Sequence, residues 1–95
     1  MLFVIHAMDR KDALTTRAKH YRAHRQHLDE APKYGVKVVT AGPFVADDGE
    51  TPIGSLFIVD AKDRAAVQAF TDSDPYHLNG VWEAVEIHAY HKKRG

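Results

Sequence analysis

The chain has 95 residues and no cysteine, and its 13 Lys and Arg residues balance 13 Asp and Glu residues to a formal net charge of zero. The lack of cysteine excludes disulfides and thiolate chemistry, and the charge balance argues against a nucleic-acid surface built on bulk positive charge. A chain of this length is expected to form one domain, residues 1–95, and to gain from a partner subunit because it buries only about 60–70% of its unfolded surface.

The N-terminal segment does not have the pattern of a targeting signal. It begins Met-Leu-Phe-Val-Ile-His, which is too short an apolar run for a signal peptide and lacks a basic leading segment. No stretch approaches the ~20 apolar residues that a membrane helix needs. We therefore predict a cytoplasmic protein that binds neither membranes nor nucleic acid.

The first third of the chain has the pattern of a strand followed by a long helix. The apolar run from Leu2 to Met8 is typical of a strand. A helix is predicted from Asp12 to about Tyr34, with Asp12 or Thr15 as its N-cap and Pro32 disrupting its end. Its apolar residues recur at helical spacing and predict the buried stripe: Leu14, Ala18, Tyr21 and Leu28.

The rest of the chain predicts three strands and one shorter helix. Val36–Ala41 is rich in β-branched residues, and turn residues at 47–50 separate it from a strand over Pro52–Asp60. A helix follows over Lys62–Thr71 and a last strand over Val81–Tyr90. The order β-α-β-β-α-β predicts an α+β, ferredoxin-like fold, with a four-stranded antiparallel sheet and both helices on one face.

The last strand indicates how the second face of that sheet is covered. Strict alternation puts apolar residues on both of its sides, with Val85 and Ile87 on one side and Trp82, Ala84 and Tyr90 on the other. Two helices can cover only one face, so the natural cover for the other is a second copy of the chain. We predict a homodimer whose two sheets face each other as a dimeric α/β barrel.

Three of the seven histidines fall on the first helix. His20 and His24 are four residues apart, a spacing that can bind zinc, but no Glu lies between them and no third ligand is evident, so we predict no metal site. On a helical wheel, Arg17 and His24 flank the apolar stripe, while His20 and His27 point towards solvent. The pattern alone leaves two interpretations of His24, a structural histidine, which is the more common case, or a residue at the edge of a cleft.

Two further groups of residues could line a site. Asp74-Pro75-Tyr76 follows the second helix, and Asp-Pro is a frequent helix-terminating turn whose distance from the first helix cannot be derived from spacing. Gly42-Pro43 ends one middle strand and Gly54-Ser55 lies near the start of the other. Glycine there allows close approach of a ligand or of another backbone, and Ser55 offers a hydroxyl group. Turn and bulge geometry is the interpretation that this pattern favours by itself.

Taken together, these segments resemble the YCII-like family over nearly the whole chain. The similarity is carried by Tyr21-Arg22-Ala23-His24, Ala41-Gly42-Pro43, Gly54-Ser55, Asp74-Pro75-Tyr76 and Gly80-Val81-Trp82-Glu83. The resemblance implies a ferredoxin-like fold, a dimeric α/β barrel and a His24–Asp74 pair as the active site, with Ser55 near the pocket. Trp82 stands where Phe or Tyr is more usual in the family.

The resemblance also implies chemistry on small molecules. Some relatives are dehydrochlorinases of chlorinated hydroxyquinols, and related barrels include muconolactone isomerases. We therefore predict a cofactor-independent lyase, isomerase or hydrolase in which His24 moves a proton and Asp74 orients it. The expected substrate-binding residues are Ser55, Gly42, Pro43 and Tyr76.

Other interpretations remain open at this point. Arg17 and Arg22 could hold an anionic substrate, but we interpret both as surface charges. The alternative function is a non-catalytic dimer that binds a small molecule or a protein, and a haem-binding or oxygenase barrel is less favoured. Catalysis requires His24 and Asp74 within hydrogen-bond reach, in a cleft with an open side.

Overall fold

Four antiparallel strands form one sheet in the order β2-β3-β1-β4, and the computed structural model describes every residue from Met1 to Gly95. The helices lie on one face of this sheet. The predicted ferredoxin-like α+β class is therefore confirmed. The elements are β1 (Leu2–Asp9), α1 (Leu14–Asp29), a 3₁₀ turn (Ala31–Tyr34), β2 (Val36–Val45), β3 (Pro52–Ala61), α2 (Arg64–Asp72), α3 (Pro75–Leu78) and β4 (Trp82–Tyr90). None of the helices has the length and apolarity that crossing a bilayer requires.

The core lies between the helices and the inner face of the sheet. Alternate residues of the central strand β1, namely Phe3, Ile5 and Ala7, are buried there and pair across the sheet with residues of β3 and β4. Each large apolar side chain buried in this way contributes roughly 1.5–3 kcal/mol. The other core residues are Ala13, Ala31, Val36, Phe57, Val59, Ala61, Val67, Phe70, Tyr76, Val81, Trp82 and Ile87.

The outer face of the sheet is not covered by any element of this chain. Val4, Met8, Leu56 and Ile58 lie on it and are only half-buried, although they come from the two central strands. The ring of His6 lies beside that of Phe44 on the same face, with centroids 4.9 Å apart. The chain thus presents a partly apolar sheet surface, which we call the open face.

Trp82 does not lie on the side of β4 that strict alternation predicts. Met8 pairs with Ala84 and Asp9 pairs with Trp82, so Glu83 is an extra residue that forms a bulge. The bulge turns Trp82 towards the helices, where it is buried. The prediction that Trp82 shares a side with Ala84 was therefore wrong.

The ends of α1 also differ from the prediction. Neither Asp12 nor Thr15 caps it, because Ala13 occupies the N-cap without a side-chain hydrogen bond and Asp12 takes a left-handed conformation with φ of 60°. The helix ends at Asp29, before Pro32, and the chain continues as the short 3₁₀ turn. The predicted single helix to Tyr34 is thus two elements.

The buried face of α1 is polar rather than apolar. Leu14 and Tyr21, predicted to be buried, are each 51% exposed, while the buried residues are Arg17, His24 and His27. Hydrophobicity alone cannot predict this inversion, because these polar side chains find hydrogen-bond partners on distant parts of the chain.

Gly54 lies where two backbones approach each other closely. A Cβ atom at this position would lie 2.4 Å from the carbonyl oxygen of Ala7 on the neighbouring strand. A glycine within a strand indicates close approach either of a ligand or of another backbone. At Gly54 the close neighbour is the backbone of β1.

We expect Gly54→Ala to lower the free energy of unfolding by more than about 2 kcal/mol, because the carbonyl of β1 can yield only by moving the central strand. Urea unfolding followed by circular dichroism measures this change. Gly42→Ala is the matched control, since no atom lies within 4 Å of a Cβ there. Equal free energies of unfolding for the two variants would contradict a steric conflict between a Cβ at position 54 and the carbonyl of Ala7.

Candidate active site

The turn after α2 holds the carboxylate of Asp74 in the interior of the protein. Asp74 is the N-cap of α3, and its Oδ1 accepts a hydrogen bond of 2.8 Å from the backbone N–H of Tyr76. Pro75 occupies the first helical position, where its missing N–H has no cost. The residue is only 1% exposed. Local sequence thus places this carboxylate, as the predicted Asp-Pro turn requires.

His24 meets that carboxylate from α1, 50 residues away in sequence. Its Nδ1 lies 2.8 Å from Oδ1 and 2.9 Å from Oδ2 of Asp74. A carboxylate can only accept, so Nδ1 donates, and the neutral ring must then leave Nε2 unprotonated. Nε2 contacts no protein hydrogen-bonding group, and it is not among the buried side-chain atoms that lack a partner. The available base of the imidazole is therefore Nε2.

Aromatic rings hold the imidazole in place. The ring of His24 stacks on that of Tyr76, with centroids 3.9 Å apart and planes 5° apart. Phe57 and Trp82 contact it at centroid distances of 5.8 and 6.4 Å. With Asp74 at one nitrogen and Tyr76 on one face, the ring has a single orientation.

Arg17 lies below the surface, two helical turns before His24. Its Nε donates to Oδ2 of Asp9 at 3.0 Å, and its Nη2 donates to the carbonyl of Gly54 and to Oγ of Ser55. The side chain is about as buried as that of Asp9. The interpretation of Arg17 as a surface charge was therefore wrong, whereas Arg22 is exposed as expected.

Ser55 lies beside this group, and its hydroxyl oxygen is already in use. It accepts from Nη2 of Arg17 at 2.8 Å and from Nε1 of Trp82 at 3.2 Å, which leaves only its own proton free to donate. The hydroxyl of Tyr76 is buried without a partner. Burial raises the pKa of Tyr76 above its ordinary value, and the positive charge of Arg17 opposes this rise.

A cleft of about 670 Å³ opens between α1 and the β2–β3 hairpin. Gly42 and Pro43 contribute to one wall, with Ser55 and Tyr76 also in the lining, so all four predicted substrate-binding residues meet there together with His24. The opposite wall is the apolar stripe that was predicted to face the core, Leu14, Ala18, Tyr21 and Leu28. The half-exposed residues of this stripe leave the cleft open to solvent.

His27 has a structural environment, contrary to the prediction that it points to solvent. Its Nε2 lies 2.7 Å from the carbonyl oxygen of Phe70, and its ring stacks on the Phe70 ring at 4.7 Å. His20 is half-buried and makes no hydrogen bond. No three His, Asp or Glu side chains come together in an arrangement that could hold a metal ion.

Sequence reasoning missed Asp9 and misjudged Arg17. Asp9 was not among the predicted site residues, yet its carboxylate neutralises the buried guanidinium at 3.0 Å. The available signal was the spacing of Arg17 and His24, seven residues apart and hence on one helix face. The signal is weak because the same spacing occurs on solvated helices.

Comparison with known proteins gives one family and several similar chains. A family model described as YCII-related domain matches residues 1–90. The Protein YciI of Escherichia coli O6:H1 and that of Shigella flexneri are each 36% identical over 97 residues, covering 97% of this chain and 98% of theirs.

Solved structures are similar over the same extent. The 5-chloro-2-hydroxyhydroquinone dehydrochlorinase (TftG) of Burkholderia phenoliruptrix AC1100, in complex with 2,5-dihydroxybenzoquinone, is 28% identical with a TM-score of 0.83, covering 96% of this chain and 94% of that one. An antibiotic biosynthesis monooxygenase is 18% identical with a TM-score of 0.53, covering 97% of this chain and 100% of that one, and shares the fold alone.

The two buried histidines of α1 should show opposite tautomers. We expect neutral His24 to carry its proton on Nδ1, which donates to Asp74, and neutral His27 to carry it on Nε2, which donates to a carbonyl. Long-range ¹H–¹⁵N correlation spectra at alkaline pH report both tautomers in one sample. An Nε2-protonated neutral His24 would contradict donation from Nδ1 to Asp74.

Proposed function

The chain belongs to the YCII-related domain family, and we propose that it is a small-molecule enzyme in which His24 and Asp74 transfer a proton without a cofactor. The observation that carries this proposal is the arrangement of the imidazole. Its Nδ1 is hydrogen-bonded to a buried carboxylate, its Nε2 has no protein partner, and His24 lines an open cleft. A histidine can accept and return a proton near neutral pH.

Asp74 has two functions in this mechanism. Its hydrogen bond to Nδ1 keeps the basic electron pair on Nε2, and its negative charge stabilises the imidazolium that forms when Nε2 takes a proton. Because the carboxylate also caps α3, it stays in position during the reaction. The cleft supplies apolar contacts from the α1 stripe on one side and backbone at Gly42 and Pro43 on the other.

The reaction class depends on where the released electron pair goes. If it forms a new π bond and a leaving group departs, the step is that of a lyase; if the proton returns at another carbon, it is that of an isomerase. Deprotonation of water would give a hydrolase. The similarity to a dehydrochlorinase favours the first: one proton goes to Nε2, the C–Cl bond breaks and chloride leaves.

The proposal predicts that the protein releases chloride from 5-chloro-2-hydroxyhydroquinone or from a related small oxygenated ring. We expect His24→Asn to lower kcat about 10²–10⁴-fold because it removes the base, and Asp74→Asn to lower it by a similar order because it removes the carboxylate that orients the base and stabilises the imidazolium. Chloride release and the absorbance of the product measure the rate.

His20→Asn is the matched control, since it changes a histidine one turn earlier on the same helix that makes no hydrogen bond. We expect it to retain full activity. If the wild type binds ring compounds in the cleft but converts none of a panel of chlorinated phenols, lactones and esters, the chain is a binding module and the catalytic proposal fails.

We further infer that a second copy of the chain covers the open face of the sheet. Its central residues are Val4, Leu56 and Ile58, which one chain leaves half-exposed on strands that are otherwise in the middle of the sheet. An identical face on a second copy would bury them symmetrically. Covering this surface would also compensate for the small core of a short chain.

Light scattering coupled to size exclusion tests this inference. We expect twice the chain mass for the wild type, and the mass of one chain for Ile58→Lys, because a charge at the centre of a buried sheet interface cannot be solvated. Ala65→Glu, on the exposed side of α2, is the control and should remain dimeric. A wild type that elutes as one chain at all concentrations would refute the inference.

A further inference from the structure

Arg17 belongs to the lining of the cleft although the residue is only 8% exposed. Its protein partners occupy two of its three nitrogens, with Asp9 at Nε and Gly54 and Ser55 at Nη2. Nη1 makes no hydrogen bond of normal geometry to the protein, although the guanidinium lies close enough to the buried hydroxyl of Tyr76 to oppose the rise in the pKa of that group. Because Nη1 is absent from the buried atoms that lack a partner, it keeps contact with open space, and the lining of the cleft includes Arg17.

Arg17 and His24 both pack against the ring of Tyr76. The Cζ atom of Arg17 is 4.8 Å from the centroid of that ring, and the imidazole centroid is 3.9 Å from it. One six-membered ring with its substituents can therefore reach both the guanidinium and the imidazole.

The charges are arranged so that the cleft presents cations to a ligand. The fully charged residues in its lining are Arg17, Arg25 and Asp29. The carboxylates of Asp9 and Asp74 are not in the lining, since each lies behind the cationic or imidazole group that it contacts. Asp9 lowers the cost of burying the guanidinium without occupying Nη1.

We propose that Nη1 of Arg17 binds an anionic oxygen of the ligand, and that this cleft therefore selects small ring compounds bearing a carboxylate, phenolate or enolate. On the proposed function, this oxygen lies beside the position that His24 deprotonates. A guanidinium donor already removed from bulk water forms a strong charge-assisted hydrogen bond and needs little reorganisation.

A purely structural role for Arg17 makes a different prediction. The side chain also ties α1 to β1 and β3 through Asp9 and Gly54. If that were its whole function, its substitution would change stability and would leave the choice between charged and neutral ligands unaltered.

Calorimetric titration with two matched ligands tests the proposal. The first is 2,5-dihydroxybenzoquinone, whose hydroxyl groups are vinylogous acids that ionise at neutral pH, and the second is its neutral dimethyl ether. We expect the wild type to bind the anion at least about tenfold more tightly than the ether. Arg17→Gln should bring the two affinities within about twofold, mainly by weakening the binding of the anion.

Two controls keep this test decisive. Arg22→Gln removes an exposed arginine of the same helix and should retain the preference for the anion. Because Arg17→Gln leaves the Asp9 carboxylate buried and unpaired, the double variant Asp9→Asn/Arg17→Gln removes both charges together and should show the same loss of preference if the single variant does not fold.

A measurement on the wild type needs no variant. In ¹⁵N-detected spectra of the arginine side chains, the anion should shift the Arg17 guanidinium signals, while the ether should not and Arg22 should not respond. Equal binding of both compounds by the wild type, binding of neither, or an unaltered preference in Arg17→Gln or in the double variant would overturn the proposal. These outcomes concern affinity alone, so they are distinct from failure of the catalytic proposal, which appears as binding without turnover.

Discussion

The buried carboxylate of Asp74 joins α3 to α1 and fixes the position of the imidazole that lines the cleft. It caps α3 through the N–H of Tyr76, and it accepts from His24 on α1. A hydrogen bond to a charged group contributes about 1.5–3 kcal/mol and an N-cap about 1 kcal/mol. The contribution of this side chain to the free energy of unfolding is therefore comparable to that of a large core residue. The hydrogen bond to His24 also holds the imidazole in one tautomer. The same interaction therefore stabilises the fold and orients the base in the proposed reaction.

The polar inner face of α1 follows from a second interaction, between Arg17 and Asp9. The end of β1 supplies the carboxylate, and the start of β3 supplies the carbonyl of Gly54 and the hydroxyl of Ser55. Since these partners satisfy Nε and Nη2 of the guanidinium, the helix can turn this polar face inward. Its apolar stripe is then left to line the cleft, and the helix forms one wall of it.

The predictions made from sequence were most accurate where structure depends on local pattern. The periods of strand and helix, the Asp-Pro turn and the glycine pairs identified the order of elements and the ferredoxin-like class. They were wrong where a single residue altered the register or a distant partner changed the burial. The bulge at Glu83 moved Trp82 to the other side of β4, and the carbonyl of Phe70 drew His27 inward.

The sequence by itself determined the elements, their order and, through the family resemblance, the residues around which a site could form. Only the tertiary structure decided that His24 and Asp74, 50 residues apart, share a hydrogen bond, and that Arg17 lies in the wall of the same cleft. The physical reason is that a polar side chain is buried only when its partners are supplied, and here they come from strands and turns far along the chain. Hydrophobic periodicity describes one element at a time and contains no information about those partners.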